Sequence, residues 1–229
     1  MIYRSQHPDV EIPDVPITDY VLGHSTRLAT KVALIDSVTR RSMSYADLAH
    51  AVDRAARGLA DLGVRPGDVV ALYARNSIEH VIAFHAIASL GAIVSEVNHT
   101  YLPSEVAEQL RAHNASWLIT IDELLDRAEE AANVSNVRGV VVIGEAGNHA
   151  SFASLLGSDG PVPRPSIDPG NDVVAILSSS GTTGAPKGVL LTHTNLVAMA
   201  AQVQAIGEAS EEDVFPGQLP FFHVVEEYE

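Results

Sequence analysis

The 229-residue sequence predicts an α/β protein with a mainly parallel β-sheet flanked by helices. Short apolar runs of strand length alternate with longer amphipathic runs of helical spacing along most of the chain. This alternation is typical of β–α–β units, in which each helix returns the chain to the start of the next parallel strand. Hydrophobic residues make up 46% of the chain and charged residues 19%. That balance provides material for a buried core and excludes disorder of the whole chain.

The first predicted elements are a small hairpin, from 32–35 and 41–44, and a long helix. Ser44 is followed three positions later by Asp47, a spacing typical of a helix start. Apolar residues then recur at helical spacing until Gly63, where a helix would end. These residues are Leu48, Ala51, Val52, Ala55, Ala56, Leu59 and Leu62.

Strands and helices continue to alternate through the next hundred residues. Strands are predicted at 69–73, 93–97, 117–121 and 137–143, and helices at 76–90, 103–112 and 122–132. A further strand at 173–177, a polar loop at 178–188 and a helix at 194–206 complete the predicted elements.

A proline- and glycine-rich stretch at 157–170 interrupts the alternation. It contains prolines 161, 163, 165 and 169, which cannot all lie in a central strand. We therefore predict an N-terminal α/β subdomain at 1–160 and the start of a second one at 161–229.

Composition excludes several classes of protein. Fourteen basic and 29 acidic side chains give a net charge of −15, which argues against a general nucleic-acid binder. There is no cysteine, so disulfides, zinc–thiolate sites and thiol catalysis are excluded. No apolar run approaches the roughly 20 residues that span a bilayer, and no export signal precedes the domain, so we expect a cytoplasmic protein. His80 and His85 are predicted to face different sides of one helix, and no metal site is predicted.

Residues 178–189 read SSSGTTGAPKGV and are named here the phosphate-loop segment. Glycine lets the main chain approach an anion closely, while serine and threonine hydroxyls donate hydrogen bonds to it. Lys187 adds a positive charge within reach of a phosphate. The preceding strand would place the segment at the carboxyl edge of the sheet, where open α/β folds bind ligands. It is not a Walker A loop, because Pro186 precedes Lys187 and Gly188 follows it. From composition alone, a flexible Ser/Gly linker remains the alternative.

The string at 179–189 strongly resembles the phosphate-binding motif of the adenylate-forming (AMP-binding) superfamily. That superfamily includes acyl-CoA synthetases, 4-coumarate-CoA ligases, luciferases and the adenylation domains of peptide synthetases. Further resemblances follow in the family's order at 42–48 (SMSYADL, with two conservative departures), 63–72 (GVRPGDVVAL), 76–77, 90–92, 97–98 and 219–224 (LPFFHV). The last of these favours the acyl-CoA synthetase and 4-coumarate-CoA ligase branch.

The resemblance implies an ATP-dependent ligase that activates a fatty or aryl carboxylic acid as acyl-AMP and then transfers it to coenzyme A. It implies that His223 lies beside the carboxylate and acyl pocket as a catalytic residue. It also implies that the β- and γ-phosphates of ATP are held by Ser179, Ser180, Gly181, Thr182, Thr183, Gly184 and Lys187.

Several family features are not found in this sequence. The resemblance leads us to expect a later Tyr-Gly-x-Thr-Glu segment for ATP and its Mg²⁺, a ribose-binding aspartate and a C-terminal catalytic lysine. We therefore interpret the chain as the N-terminal part of the family's large domain and expect no turnover from it alone. A non-catalytic phosphate-binding or interaction module and a peptide-synthetase adenylation fragment remain alternatives. An apolar patch around Phe215, Leu219, Phe221 and Phe222 favours a homodimer.

Overall fold

The computed structural model describes residues 9–179, 187–207 and 210–222. Its helices are α1 (Ile17–Leu22), α2 (Tyr45–Leu62), α3 (Ile78–Ser89), α4 (Pro103–Ala112), α5 (Leu125–Asn133), α6 (Phe152–Leu155) and α7 (His193–Ile206). Its strands are β1 (Val32–Ile35), β2 (Ser42–Ser44), β3 (Val69–Tyr73), β4 (Ile93–Glu96), β5 (Trp117–Ile121), β6 (Gly139–Ile143), β7 (Ala150–Ser151), β8 (Val173–Ser179) and β9 (Lys187–Thr192).

The main sheet of the described residues has seven strands in the order β7-β6-β5-β3-β4-β8-β9. Every neighbouring pair is parallel except β8 and β9, which pair antiparallel. Strands β1 and β2 form a separate antiparallel hairpin. The predicted α/β fold with a mainly parallel sheet is therefore confirmed.

The helices begin where the sequence provides caps. Ser44 Oγ accepts a hydrogen bond from the Asp47 amide (3.1 Å) at the start of α2. Gly63 ends that helix with a φ of 107°, a left-handed conformation that glycine adopts without the usual Cβ clash. Ser77 Oγ accepts from the His80 amide (3.0 Å) at the start of α3. These caps fix the first turn of α3, which borders the candidate site described below.

The core lies on both faces of the sheet around β3. All five residues of β3 are buried, as expected for a central parallel strand covered by helices on both sides. A second, smaller cluster joins α1, α3, β8 and α7 through Ile17, Ala88, Val174, Ala175 and Val197. This cluster holds α7 against the strand that leads into the phosphate-loop segment.

The structure also contains elements that the sequence did not predict. Helices α1 and α6 and strand β7 are short, so their patterns give little periodic signal. The predicted helix at 122–132 is a 3₁₀ turn at Asp122–Leu124 followed by α5. Strands from both sides of residue 160 share the seven-stranded sheet. The division into subdomains 1–160 and 161–229 stays a prediction.

Candidate functional site

The phosphate-loop segment joins two strands of the sheet. Strand β8 ends at Ser179 and β9 begins at Lys187, and these two residues are opposite each other in the antiparallel register. Since β8 is parallel to β4, the connection leaves the sheet at its carboxyl edge, as predicted. The predicted loop at 178–188 was too long at both ends, because β8 extends to Ser179 and β9 begins at Lys187. Strand β9, which precedes the helix predicted at 194–206, was not predicted. Half of β9 is glycine, lysine or threonine, so its sequence lacks the apolar run that predicts a strand.

Most of the predicted site residues lie outside the described residues. Those residues are Ser180, Gly181, Thr182, Thr183, Gly184 and His223. The structure gives only the backbone of Ser179 and Lys187, at the ends of β8 and β9. The predicted phosphate-binding and catalytic roles of all eight residues therefore stay predictions.

A buried polar network lies beneath the ends of this segment. The Gln109 side-chain amide donates to Ser95 Oγ (3.3 Å) and to the Glu96 carbonyl (2.7 Å). Ser95 Oγ lies 2.8 Å from His113 Nδ1, and burial lowers the pKa of His113. A Cβ at Gly188 would lie 3.0 Å from His113 Nε2 and 2.9 Å from Ile176 Cγ2. Glycine at 188 thus lets β9 pass close to the imidazole, and this contact positions the end of the phosphate-loop segment.

A cleft of about 1450 Å³ opens between α3 and α7, and it is called here the α3–α7 cleft. Its apolar lining comes from the helices α3 and α7 and from the strands β8 and β9. Phe215 and Phe221 border it from the segment after α7. Because Leu177 lies two residues before the end of β8, the cleft reaches the carboxyl edge beside the phosphate-loop segment. Apolar lining residues include Val81, Phe84, Leu177, Leu191, Leu196 and Met199.

The segment that leads toward His223 is fastened to the start of α3. Asn76 Nδ2 donates to the Leu219 carbonyl (2.7 Å) and, more weakly, to the Gly217 carbonyl (3.5 Å). In return, the Phe221 amide donates to Asn76 Oδ1 (2.9 Å). Phe222 packs edge-on against His99, with ring centroids 5.3 Å apart. The chain just before His223 is therefore held next to the α3–α7 cleft.

The sequence model of the family described as AMP-binding enzyme matches residues 24–229. The chain belongs to this family. It is 39% identical to 4-coumarate–CoA ligase 5 of Oryza sativa subsp. japonica, over 97% of this chain and 42% of that protein. The chain thus spans less than half the length of this curated relative.

Solved structures agree with that membership. A long-chain-fatty-acid–CoA ligase from Archaeoglobus fulgidus superposes with a TM-score of 0.89 at 27% identity, covering 96% of this chain and 45% of that one. The N-terminal domain of FACL13 from Mycobacterium tuberculosis gives a TM-score of 0.77 at 26% identity, covering 91% of this chain and 52% of that one. The fold of this AMP-binding family member is therefore that of the matched parts of these two structures.

Two features of the cleft were not predicted from the sequence. His80 Nε2 lies 3.2 Å from Glu96 Oε1, and both residues are buried in the cleft wall. His85, which also borders the cleft, is held instead by Thr18, whose hydroxyl lies 3.2 Å from His85 Nδ1. The only sequence signals of the pair are Glu96 within the apolar strand β4 and His80 within the apolar helix α3. Their pairing depends on β4 and α3 being neighbours, which sequence spacing does not reveal.

Glu211 and Glu212 lie in a turn after α7 and make ion pairs with the N-terminal part of the chain. Arg27 donates two hydrogen bonds to Glu211 (3.0 and 2.5 Å), and Lys31 lies 3.2 Å from Glu212. These contacts hold the outer rim of the α3–α7 cleft. Within 9–179, 187–207 and 210–222, no group of three or more His, Asp or Glu side chains could hold a metal ion.

No helix within these described ranges is both long enough and apolar enough to cross a bilayer. The compartment in which the protein works stays a prediction.

Proposed function

We propose that the chain provides the triphosphate-binding segment and part of the acid-binding cleft of an AMP-forming acid–CoA ligase. In this reaction a carboxylate oxygen attacks the α-phosphorus of ATP, and pyrophosphate leaves with the electrons of the broken P–O bond. The thiol of coenzyme A then attacks the acyl carbonyl, and AMP leaves. The acid would be a fatty or aryl carboxylic acid, in keeping with the relatives named above.

One observation carries this proposal. The hydroxyl- and glycine-rich segment begins and ends at Ser179 and Lys187, at the carboxyl edge of the sheet, and Leu177 just before it borders the α3–α7 cleft. That arrangement would bring the phosphates of ATP and the carboxylate of an acid to one edge. Ser178 Oγ, at the base of the segment, is buried and has no hydrogen-bond partner among the described residues, so an additional acceptor or donor would suit it.

The side chains of the phosphate-loop segment would act on the departing pyrophosphate. Hydroxyls and main-chain amides from Ser179 to Gly184 would donate to the β- and γ-phosphates, and Lys187 would add a full positive charge. Donors arranged in advance around the leaving group lower the barrier, because its negative charge grows in the transition state. Mg²⁺ would accompany the triphosphate and neutralise part of its charge.

The proposal can be tested on this chain by titrating it with ATP and MgCl₂ in a calorimeter. The chain contains two lysines, Lys187 and Lys31. Substitution of Lys31 is therefore the control for substitution of Lys187. A charge-assisted contact to phosphate contributes about 1.5–3 kcal/mol. Lys187→Ala should therefore weaken ATP binding about 10- to 100-fold, whereas Lys31→Ala removes only an exposed ion pair and should leave binding unchanged. Equal ATP affinity in the chain and in Lys187→Ala would refute the assignment.

A further inference from the structure

A buried polar pair in the wall of the α3–α7 cleft is only half satisfied. The His80 and Glu96 side chains are 3% and 4% exposed, and their Nε2 and Oε1 atoms lie 3.2 Å apart. Glu96 Oε2 and His80 Nδ1 are both buried and have no hydrogen-bond partner in the described part of the chain. Buried polar atoms are nearly always hydrogen-bonded, because leaving one unpaired costs folding free energy. Among the described residues, therefore, one atom of each side chain lacks a hydrogen-bond partner.

The position of the pair points to a ligand as that partner. His80 belongs to the first turn of α3, and Glu96 is the last residue of β4, at the carboxyl edge of the sheet. Both residues line the cleft, beside Val81, Phe84 and Leu177. In an apolar cleft, one polar group fixes the orientation of a bound molecule more strongly than many apolar contacts. The pair is thus placed to select among molecules that fill the cleft.

The chemistry of the two free atoms defines the missing group. If His80 Nε2 carries the proton toward Glu96, then Glu96 Oε2 and His80 Nδ1 are both acceptors. If instead the shared proton belongs to Glu96 Oε1, His80 Nδ1 is a donor while Glu96 Oε2 still accepts. A hydroxyl group can donate to Glu96 Oε2 in either arrangement, and its oxygen can accept from His80 Nδ1 in the second. An alkyl or halide group can do neither.

We propose that His80 and Glu96 recognise a hydroxyl group on the carboxylic acid that occupies the α3–α7 cleft. The acid as ligand rests on the proposed function, whereas the hydroxyl requirement rests on the pair itself. Phe221 packs edge-on against His80, with ring centroids 5.2 Å apart, and it also borders the cleft. Asn76 holds the backbone next to that ring, since its Nδ2 donates to the Leu219 carbonyl and its Oδ1 accepts from the Phe221 amide.

The first test compares matched acids that differ by one hydroxyl group. The chain is titrated, without nucleotide, with para-hydroxyphenylpropanoate and phenylpropanoate, and with ω-hydroxydodecanoate and dodecanoate. In at least one pair the hydroxylated acid should bind about 10- to 100-fold more tightly, because the other acid leaves the buried carboxylate unpaired. Equal affinities within both pairs, or no binding of any acid, would overturn the proposal.

A double variant removes the polar pair while keeping its volume. His80→Phe with Glu96→Leu should reduce the preference for the hydroxylated acid to less than about threefold while the deoxy acid binds as well as before. Glu211→Gln is the matched control, since Glu211 borders the same cleft but is exposed and already paired with Arg27. The control should keep the full preference. A preference that survives in the double variant would assign the selection to other residues.

The unfolding temperature of the double variant separates recognition from a structural role. Replacing a half-satisfied buried pair by packed apolar side chains should leave the unfolding temperature unchanged or raise it. A marked fall, or failure to fold, would mean that the pair serves the fold, and the proposal would be wrong. The assay contains no ATP, so it is independent of the Lys187 titration. If Lys187→Ala weakens ATP binding as expected but the chain shows no preference for hydroxylated acids, only this inference is overturned. If the hydroxyl preference is present but Lys187→Ala binds ATP as well as the chain does, only the phosphate assignment is overturned.

Discussion

Protonation of His85 should make the fold strongly less stable in mild acid. His85 is a buried residue of α3, and burial lowers its pKa from 6.5 to about 4. In the unfolded chain the imidazole regains its ordinary pKa, so between pH 6.5 and 4 the unfolded state binds the extra proton. The free energy of unfolding therefore rises with pH across this window and falls as pH decreases through it.

The size of the effect follows from the pKa difference. One pKa unit corresponds to about 1.36 kcal/mol, so a difference of about 2.5 units is worth roughly 3.4 kcal/mol below pH 4. At pH 5, where the unfolded imidazole is almost fully charged and the folded one is mostly neutral, the loss should already be about 2 kcal/mol. This is a large fraction of the 5–15 kcal/mol that typically stabilises a domain.

The measurement is urea unfolding at a series of pH values between 7.5 and 4.5. It compares the chain with His85→Gln, which cannot titrate. Burial also lowers the pKa of His113 and His193, but both remain in the two proteins, so their contribution cancels in the difference. The stability lost between pH 7.5 and 5 should be about 2 kcal/mol smaller in His85→Gln. His50→Gln, at an exposed position on α2, should follow the unsubstituted chain. Parallel pH profiles for all three proteins would refute the assignment of this slope to His85.

Three further predictions concern the neighbourhood of the site. Asn76→Ala removes two hydrogen bonds that hold 217–221, together worth about 1–3 kcal/mol, so Phe221 should exchange its amide proton roughly 5- to 150-fold faster. Mass-resolved hydrogen exchange would measure this, and unchanged exchange relative to Asn171→Ala would contradict it. Gly188→Ala should destabilise the fold by about 1–3 kcal/mol in urea unfolding, because its Cβ meets Ile176 and His113, whereas Gly170→Ala has room and should cost less. Exposed apolar side chains on α7, β9 and 214–221 should drive formation of a homodimer, and light scattering that shows only monomer at high concentration would exclude it.

The fold was predictable because most of its signals are local. Ser44 and Ser77 are the N-caps of α2 and α3, Gly63 ends α2, and β3 is a continuous apolar run. Each of these depends on neighbours within a few residues. Strand β9 was missed because it begins with lysine and glycine, and its exposed Val189 and Leu190 lie at the sheet edge.

The candidate site could be predicted only where its residues are adjacent in the sequence. The phosphate-loop segment is one string, so its position at the carboxyl edge followed from the strand before it. The His80–Glu96 pair joins residues 16 positions apart on a helix and a strand, and the Asn76 contacts reach across more than 140 positions. Such pairs arise from tertiary packing. Their sequence signal is limited to a polar residue at a position that the pattern marks as buried.

The strand order also determines the sequence of events during synthesis. Strand β4 can pair with β3 soon after both are made, but its other neighbour, β8, begins at Val173, 77 residues after Glu96 ends β4. At about 5–20 residues per second, a ribosome needs roughly 4–15 s to make that interval. Meanwhile β5, β6 and β7 can add to the opposite side of β3, and the hydrogen-bonding edge of β4 stays open. The main-chain groups of Val94 and Ser95, which pair with β8 in the folded sheet, therefore stay unpaired in the nascent chain until β8 has been made.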